Sequence, residues 1–313
     1  MFLKGGCHLG KYILKRLLIA LLTVFVVATL TFFLMNAVPG GPYEAEKAIS
    51  PAAKAALETK FGLNQPIFTQ YITYMKNILH GDFGPSLKQR GREVIDIIMS
   101  KFPVSAGLGG IAVLVSLLVG IPLGCVAALH RGKTRDSVII VLSTIGIAVP
   151  SFVVCSLSMY FFGVRLQWFP TIGLTSWKHY IMPVFALAFY PTSYIVRLMR
   201  SSMLDVMGQD YMRSARAKGV APFFSLFKHA LRNAILPIVT YVGPMMAYTL
   251  TGSFIIEKVF TIPGLGREFV SSITNRDYMM IMGTTIFLAT LMVVINVLVD
   301  IVYKIIDPRI NLK

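Results

Sequence analysis

Six long apolar runs, almost free of charge, constrain this chain more than any other feature. They are Leu17–Val38, Val104–Leu129, Val138–Gly163, Tyr180–Val196, Ile235–Ile256 and Ile281–Val302. Asp300, near the end of the last run, is the only Asp, Glu, Lys or Arg within them. Because roughly 20 helical residues cross about 30 Å of hydrocarbon, the runs predict an all-α integral membrane protein with about six transmembrane helices.

Composition argues against a soluble protein and against a nucleic-acid partner. Hydrophobic residues make up 55% of the 313 residues and charged residues only 14%, an apolar excess that a single soluble core does not bury. The lipid bilayer is therefore predicted to be part of the solvent. The net charge of +16 is spread over the segments between the apolar runs, so membrane topology explains it better than nucleic-acid binding does.

The first run is interpreted as a retained transmembrane helix. Lys11, Lys15 and Arg16 precede it, as in a signal peptide, but the run is longer than a signal-peptide core and no small-residue cleavage site ends it. With the N-terminus inside, 17 of the 30 Lys and Arg residues lie on the inner side. The positive-inside rule therefore predicts that both termini are cytoplasmic.

A long polar segment, Pro39–Lys101, is predicted to form a small extracytoplasmic helical subdomain between the first two transmembrane helices. Ser50 and Pro51 are typical of a helix start, and a helical stripe follows further along. The stripe consists of Ile67, Tyr71, Tyr74 and Ile78. The chain is accordingly divided into residues 1–101, with the first helix and this subdomain, and residues 102–313, with the remaining helices.

A second polar segment, residues 197–234, carries the strongest functional signal. The stretch Gln209–Lys218 favours a helix, and Gly219 is suited to end it in the left-handed conformation. After Pro222 an amphipathic helix is predicted, whose apolar positions are Phe223, Leu226, Phe227, Ala230, Leu231 and Ala234. Such a helix suits either an anionic lipid surface or a cytosolic partner protein, and the pattern alone leaves both open.

The same segment resembles the cytoplasmic EAA loop of ABC importer membrane subunits. Arg213, Ser214 and Ala215 occupy the first three positions of that loop, and Gly219 its glycine. Although the Glu, Ile and Pro of the general pattern are absent, DYMRSARAKG and HALRNAILP resemble the B-type permeases of the peptide and nickel branch almost letter for letter. FGLNQP, GDFGPS, FTIPGLG and RDY agree with that branch too, so the resemblance runs nearly end to end.

This resemblance implies a type I ABC importer transmembrane domain in a bacterial plasma membrane. It implies a second homologous permease subunit, two ATPase subunits that use ATP and Mg²⁺, and an extracytoplasmic binding protein that delivers di- or oligopeptides. This chain itself would bind no cofactor. The residues expected to couple to an ATPase subunit are Asp210, Arg213, Ser214, Ala215, Lys218, Gly219, His229, Leu231 and Arg232.

Other functions are less well supported by the sequence. Gly5–Tyr12 approaches a phosphate-binding loop, but Tyr12 replaces the residue that would bind Mg²⁺ and no strand precedes it. No motif of a metal site, a protease or another catalytic centre occurs. A secondary carrier would need ionisable groups within the spans, where only Asp300 is found. A carrier or channel for small peptides or metal chelates remains the alternative.

One helical face is a candidate for the translocation path. Tyr241, Met245, Tyr248 and Gly252 share one side of the fifth predicted transmembrane helix. Aromatic and small residues at this spacing are equally typical of helix packing in membranes. The sequence alone leaves the two interpretations open.

Overall fold

The computed structural model describes residues 5–37, 64–219, 230–250 and 254–306, together with positions 59, 62, 221, 224 and 226. The helices are α1 (Gly5–Ala37), α2 (Ile67–Leu79), α3 (Val94–Leu129), α4 (Thr134–Ala148), α5 (Ser151–Ser158), α6 (Lys178–Met207), α7 (Asp210–Ala217), α8 (Leu236–Leu250), α9 (Phe254–Val259), α10 (Leu265–Asn275) and α11 (Tyr278–Ile306). Among the described residues the only β-structure is an isolated bridge between Pro85 and Glu93.

Five helical stretches are long and apolar enough to cross a membrane. They are Leu14–Ala37, Val94–Leu129, Lys178–Met207, Arg232–Val259 and Tyr278–Ile301. A sixth candidate is the pair Thr134–Ala148 and Ser151–Arg165, which is bent by 103°. The prediction of an all-α membrane protein with about six spans is confirmed.

The third predicted helix differs from its prediction because it is broken rather than continuous. Pro150 has no backbone N–H to donate, and it forces the preceding residue out of the helical region. Val149 accordingly adopts an extended conformation with φ −82° and ψ 121°. A seven-residue π-helix, Met159–Arg165, follows α5. The sequence prediction missed this break because the run is apolar on both sides of it, and hydrophobicity does not indicate the direction of the backbone.

Two other helix boundaries differ from the sequence prediction. The second membrane helix begins at Val94, ten residues before the predicted Val104, so the end of the predicted extracytoplasmic segment is already helical. The fourth, α6, is continuous over 30 residues, with Pro183 and Pro191 inside it. Both prolines are buried, so neighbouring groups shield the backbone from lipid at these positions.

The chain divides into two compact units. The first comprises Met1–Pro103 with Gly264–Val297. Its core joins α1, α2 and α11 through Ala28, Phe32, Tyr74, Met282 and Ile286. The predicted stripe of α2 is partly confirmed, because Tyr71, Tyr74 and Ile78 pack in this cluster whereas Ile67 is 51% exposed. The predicted helix start at Ser50 and Pro51 lies outside the described residues.

The second unit comprises Val104–Pro263 with Leu298–Lys313. Here α6 lies against α3 and α4 at glycines that leave no room for a side chain. A Cβ added at Gly124 would lie 2.6 Å from the Cβ of Met199, and one added at Gly146 would collide with Ser193 Oγ. Such close backbone approach is typical of packed membrane helices. The second unit holds both candidate functional features.

Candidate coupling helix and translocation cavity

The helix predicted from Gln209 to Lys218 is present as α7, Asp210–Ala217. Asp210 lies in its first turn, where a negative charge is favoured by the helix dipole. Gly219 follows with φ +73°, the left-handed conformation predicted for it. A Cβ at Gly219 would contact nothing within 4 Å, so the backbone conformation alone favours glycine here.

One side of α7 is exposed and polar. Asp210, Arg213, Ser214, Lys218 and Gly219 are all exposed. Arg213 lies 3.6 Å from Asp210, but both side chains are largely in solvent, so this ion pair contributes little to stability. The exposed side therefore presents charges and hydrogen-bonding groups that are available to another molecule.

The opposite side of α7 is anchored to the second unit. Met212 is only 2% exposed and belongs to a buried cluster with Met199 and Met203 of α6. The same cluster continues through Ala234 to Met245 of α8. A displacement of α7 would therefore disturb its packing against both α6 and α8.

Two hydrogen bonds tie the chain entering α8 to α6 and α7. Ser202 Oγ donates to the carbonyl oxygen of Ala234 at 2.8 Å, in a buried position. Asn233 Nδ2 donates to the Tyr211 hydroxyl, also at 2.8 Å. They hold the short helical turn Arg232–Ala234 close to α7.

The remaining predicted coupling residues are described only in part. Leu231 is half-buried against the methionine-containing cluster, and Arg232 is exposed. The side chain of Ala215 lies outside the described residues, as does the whole of His229. Most of the amphipathic helix predicted after Pro222 lies outside them too, so that prediction stays a prediction.

A cavity of about 490 Å³ opens in the same unit. Its wall is formed by the broken third span, α6, α8 and α9. The lining residues are Ile147, Ala148, Val149, Pro150, Ser151, Ala186, Leu187, Tyr190, Pro191, Tyr241, Pro244, Met245, Tyr248 and Ile256. Tyr241, Met245 and Tyr248 of the predicted path are thus brought together at one cavity, while Gly252 lies outside the described residues.

The break in the third span forms one wall of this cavity. The backbone N–H of Val149 still donates to the carbonyl oxygen of Ile145, but Pro150 has no N–H to donate, so the helical hydrogen bonds of α4 stop here. At membrane depth, irregular backbone is tolerated where it is buried in protein or lines a polar cavity. The pair Val149 and Pro150 in the middle of an apolar run was the sequence signal for this wall.

Tyrosines from two helices line up beside the cavity. The rings of Tyr194 and Tyr241 lie 4.3 Å apart between centroids, and those of Tyr190 and Tyr194 lie 6.4 Å apart. Tyr190 and Tyr194 were not predicted, although their spacing of four residues places them on one face of α6. The tyrosine row is defined here as Tyr190, Tyr194, Tyr241 and Tyr248.

The tyrosine row is unlike the surfaces that suit lipid. Tyr190 is 45% exposed and Tyr248 is 61% exposed, well inside their spans. Hydroxyl groups are costly to place in hydrocarbon, and tyrosine in membrane proteins prefers the water interface. The exposed face of α4, by contrast, presents Val138, Val141, Leu142 and Ile145. The tyrosine row therefore suits a polar path or a protein partner.

The structure also bears on the alternatives. Residues 5–12 are the start of α1, so they do not form the strand-to-helix loop of a nucleotide site. Among the described residues, no group of three or more His, Cys, Asp or Glu is placed to hold a metal ion.

Long apolar helices, a broken span and a tyrosine-lined cavity define the chain as a helical membrane protein with a cavity among its spans. The family model for the inner membrane component of binding-protein-dependent transport systems matches residues 120–312, and its N-terminal companion matches residues 9–109. The chain belongs to this family and is a permease subunit, so the prediction of a transport component rather than an enzyme is confirmed.

Two curated relatives match almost the full length. The dipeptide transport system permease protein DppB of Bacillus subtilis strain 168 is 43% identical over 304 residues, covering 97% of this chain and 99% of the relative. The oligopeptide transport system permease protein OppB of Haemophilus influenzae is 41% identical, covering 96% and 99%. The prediction of membership in this permease family is confirmed.

A solved structure shares the fold. The MetNI methionine ABC transporter in an inward-facing conformation matches with a TM-score of 0.54 over 68% of this chain and 97% of that chain. Its sequence identity of 16% limits the likeness to the fold. The predicted type I importer transmembrane fold is confirmed.

Proposed function

We propose that this chain is one of two permease subunits of an ATP-driven importer that takes up di- or oligopeptides. Two ATPase subunits hydrolyse ATP with Mg²⁺, and an extracytoplasmic binding protein delivers the peptide. The peptide class is supported by the two named relatives, both peptide permeases, and by their near full-length match. The chain lies in the bacterial inner membrane with both termini cytoplasmic, as the positive-inside rule favours.

The observation that carries the proposal is α7. A short helix with an exposed polar side and one buried methionine anchor is suited to sit on another protein while staying fixed to its own. The residues that we propose to contact an ATPase subunit are Asp210, Arg213, Ser214, Ala215, Lys218 and Gly219, with His229, Leu231 and Arg232 beside them. Closure of the ATPase pair would push α7, and the methionine-containing cluster would pass the movement to α6 and α8.

The cavity and its tyrosine row are proposed to line the translocation path. Tyrosine hydroxyls both donate and accept hydrogen bonds, and the rings offer flat contacts that tolerate varied side chains. Such a lining suits an extended peptide whose sequence varies. Tyr241, Met245, Tyr248 and Gly252 were the predicted path residues, and Tyr190 and Tyr194 are now added to them.

A substitution at Tyr248 tests the path. Tyr248→Ala should change relative uptake rates among peptides while the protein level in the membrane stays the same. The matched control is Tyr160→Ala, an exposed tyrosine of the same unit that does not line the cavity. If both variants keep the wild-type preference among peptides, the path assignment is wrong.

The composition of the native complex tests the function as a whole. The chain is purified from its own membrane in mild detergent, and the accompanying proteins are identified by mass spectrometry. A second permease and two ATPases are the expected companions. If the chain instead purifies without partner proteins and still carries out peptide uptake in liposomes that lack ATP, it is a channel or a secondary carrier.

A further inference from the structure

A partly buried ion pair joins α4 to α6 at the end of the second unit nearest α7. Arg200 donates from Nε to Asp136 Oδ1 at 2.6 Å and from Nη2 to Asp136 Oδ2 at 2.8 Å. The backbone N–H of Gly132 donates to the same Oδ2 at 2.9 Å. Asp136 is 4% exposed, whereas the Arg200 side chain is 26% exposed. This bidentate arrangement fixes orientation as well as distance.

A second contact joins the same two helices farther along. Gly146 of α4 approaches Ser193 of α6 so closely that a Cβ on the glycine would collide with the serine hydroxyl. Ten residues of α4 separate Asp136 from Gly146, which is about 15 Å of helix. Seven residues of α6 separate Arg200 from Ser193, so the helices run in opposite directions between two fixed points. Two fixed points restrain α4 from tilting or sliding on α6.

This helix pair lies between α7 and the cavity. At one end, Met199 and Met203 flank Arg200 on α6 and pack in the cluster that holds Met212 of α7. At the other end, α4 leads directly into Ile147, Ala148 and Val149, which line the cavity. α6 itself forms another part of the same wall. A movement of α6 that starts at α7 therefore reaches the wall at Ile147, Ala148 and Val149 only if α4 moves with α6.

We propose that Asp136 and Arg200 are positioning residues that make α4 follow α6, so that movement of α7 is converted into movement of the broken span at the cavity wall. The proposal rests on the proposed function, because it assumes that α7 receives movement from an ATPase subunit. The pair acts through geometry and touches neither peptide nor nucleotide. Its charged, bidentate form suits the role, because it resists rotation of α4 in a way that apolar contacts do not.

The test measures peptide uptake per ATP hydrolysed by the complete complex in proteoliposomes. Asp136→Asn and Arg200→Lys both keep the side-chain size close to that of the wild type while removing the charge of one partner or the bidentate fork. Each should lower uptake per ATP by about tenfold, within the range of measured coupling free energies, while ATP hydrolysis continues. The reversed pair Asp136→Arg with Arg200→Asp should recover part of the lost uptake.

The matched control is Arg135→Gln. Arg135 precedes Asp136, is exposed and is hydrogen-bonded to His130, so its loss removes a charge from the same turn without removing either partner of the pair. Assembly of each variant with its partner subunits is measured by co-purification. A stability change alone would lower the yield of complex but not the ratio of uptake to hydrolysis, so the ratio separates positioning from folding.

Three outcomes are distinguishable. The proposal is supported if peptide uptake per ATP falls in both single variants, recovers in part in the reversed pair and stays at the wild-type value in Arg135→Gln. An unchanged ratio in assembled Asp136→Asn and Arg200→Lys complexes overturns it. A wild-type complex whose uptake does not depend on ATP overturns the proposed function itself, independently of the ion pair.

Discussion

Two buried aspartates hold the two units of this protein in different ways. Asp277, in the first unit, accepts hydrogen bonds from the Ser86 hydroxyl and from the backbone N–H groups of Leu87 and Met280, both at 3.2 Å. Asp136, in the second unit, is bound by the two-pronged guanidinium of Arg200 and by Gly132. Both are nearly inaccessible, at 2% and 4% exposure. Neutral donors surround the first carboxylate and a full positive charge faces the second.

Asp277 forms a fixed joint between a loop and a helix start, whereas Asp136 links one helix to another. Asp277 precedes α11 and caps its start, because its Oδ1 accepts the backbone N–H of Met280. Its bonds to Ser86 and Leu87 fasten a loop to this helix start, which lies about 190 residues later. Two of its three donors are backbone N–H groups, which a substitution does not remove. A change at Asp277 therefore leaves buried donors that no second substitution can take away. Asp136 and Arg200 are two side chains on two helices, so their bond joins elements that can move as a body. We expect substitutions at the first site to unfold the chain and at the second to uncouple it.

Asp277→Ala is predicted to have the largest effect. It removes the cap of α11 and leaves the Leu87 and Ser86 donors without their buried acceptor, a loss of about 3–5 kcal/mol in the free energy of unfolding. Thermal unfolding in detergent is the measurement. The control is Thr274→Ala on α10, whose exposed hydroxyl bonds only its own helix and should matter little. Equal melting temperatures for the two variants would contradict the assignment.

Arg200→Met is predicted to have the next largest effect. The buried Asp136 carboxylate loses its charge partner, but water reaches the partly exposed guanidinium position, so the expected loss is about 1–3 kcal/mol. Adding Asp136→Leu to Arg200→Met should return most of that stability, since the lone charge is then gone. No such second change exists for Asp277. If the double variant is less stable than the single one, the comparison between the two aspartates fails.

Gly146→Ala sharpens the account of α4 and α6 at their second fixed point. The added methyl group meets Ser193, and overpacking of this kind costs about 1–2 kcal/mol. The matched control is Gly107→Ala on α3, where a Cβ would contact nothing within 4 Å. Melting temperatures of the two variants give the comparison, and Gly107→Ala should be neutral or slightly stabilising. A Gly146→Ala protein as stable as Gly107→Ala would show that the helices can separate freely.

Ser86→Ala is predicted to have the smallest effect of the four. It removes one hydrogen bond to Asp277 but leaves those from Leu87 and Met280, so about 1 kcal/mol should be lost. The melting temperature should fall between those of the wild type and Asp277→Ala. A Ser86→Ala protein as unstable as Asp277→Ala would mean that the hydroxyl alone, rather than the set of donors, holds the joint.

Much of this architecture could be predicted from the sequence. The bilayer thickness sets the length of a span, and the need to hydrogen-bond every backbone group within the membrane favours helices. The apolar runs predicted the spans, and the helix before Gly219 was predicted together with its left-handed end. These features are local, since a run of hydrophobic residues or a glycine carries its own physical reason. The partners and cargo that we propose come from sequence similarity to a permease family, because local physics does not give them.

What was missed depends on contacts between distant residues. Nothing in the sequence pairs Asp136 with Arg200, since 64 residues separate them and both lie in polar flanks that charge counting assigns only to a membrane side. Tyr190 and Tyr194 were hidden in the shortest apolar run, and their role depends on Tyr241 from another helix. Pro150 was a local signal for the broken span, but the continuous apolar run around it led to the prediction of one unbroken helix.

The central claim is that α7 transmits ATP-driven movement, and Gly219→Glu tests it most directly. A non-glycine residue at φ +73° is strained, and the added charge falls at the end of α7, so the contact with an ATPase subunit should be lost. The matched control is Gly208→Ala, at the other end of α7, where φ is −79° and alanine fits. Both ATP hydrolysis and uptake of labelled peptide are measured in proteoliposomes with the complete complex. We predict normal membrane insertion but loss of peptide uptake per ATP in Gly219→Glu, with wild-type values in Gly208→Ala; normal ATP-driven uptake by Gly219→Glu would contradict the account.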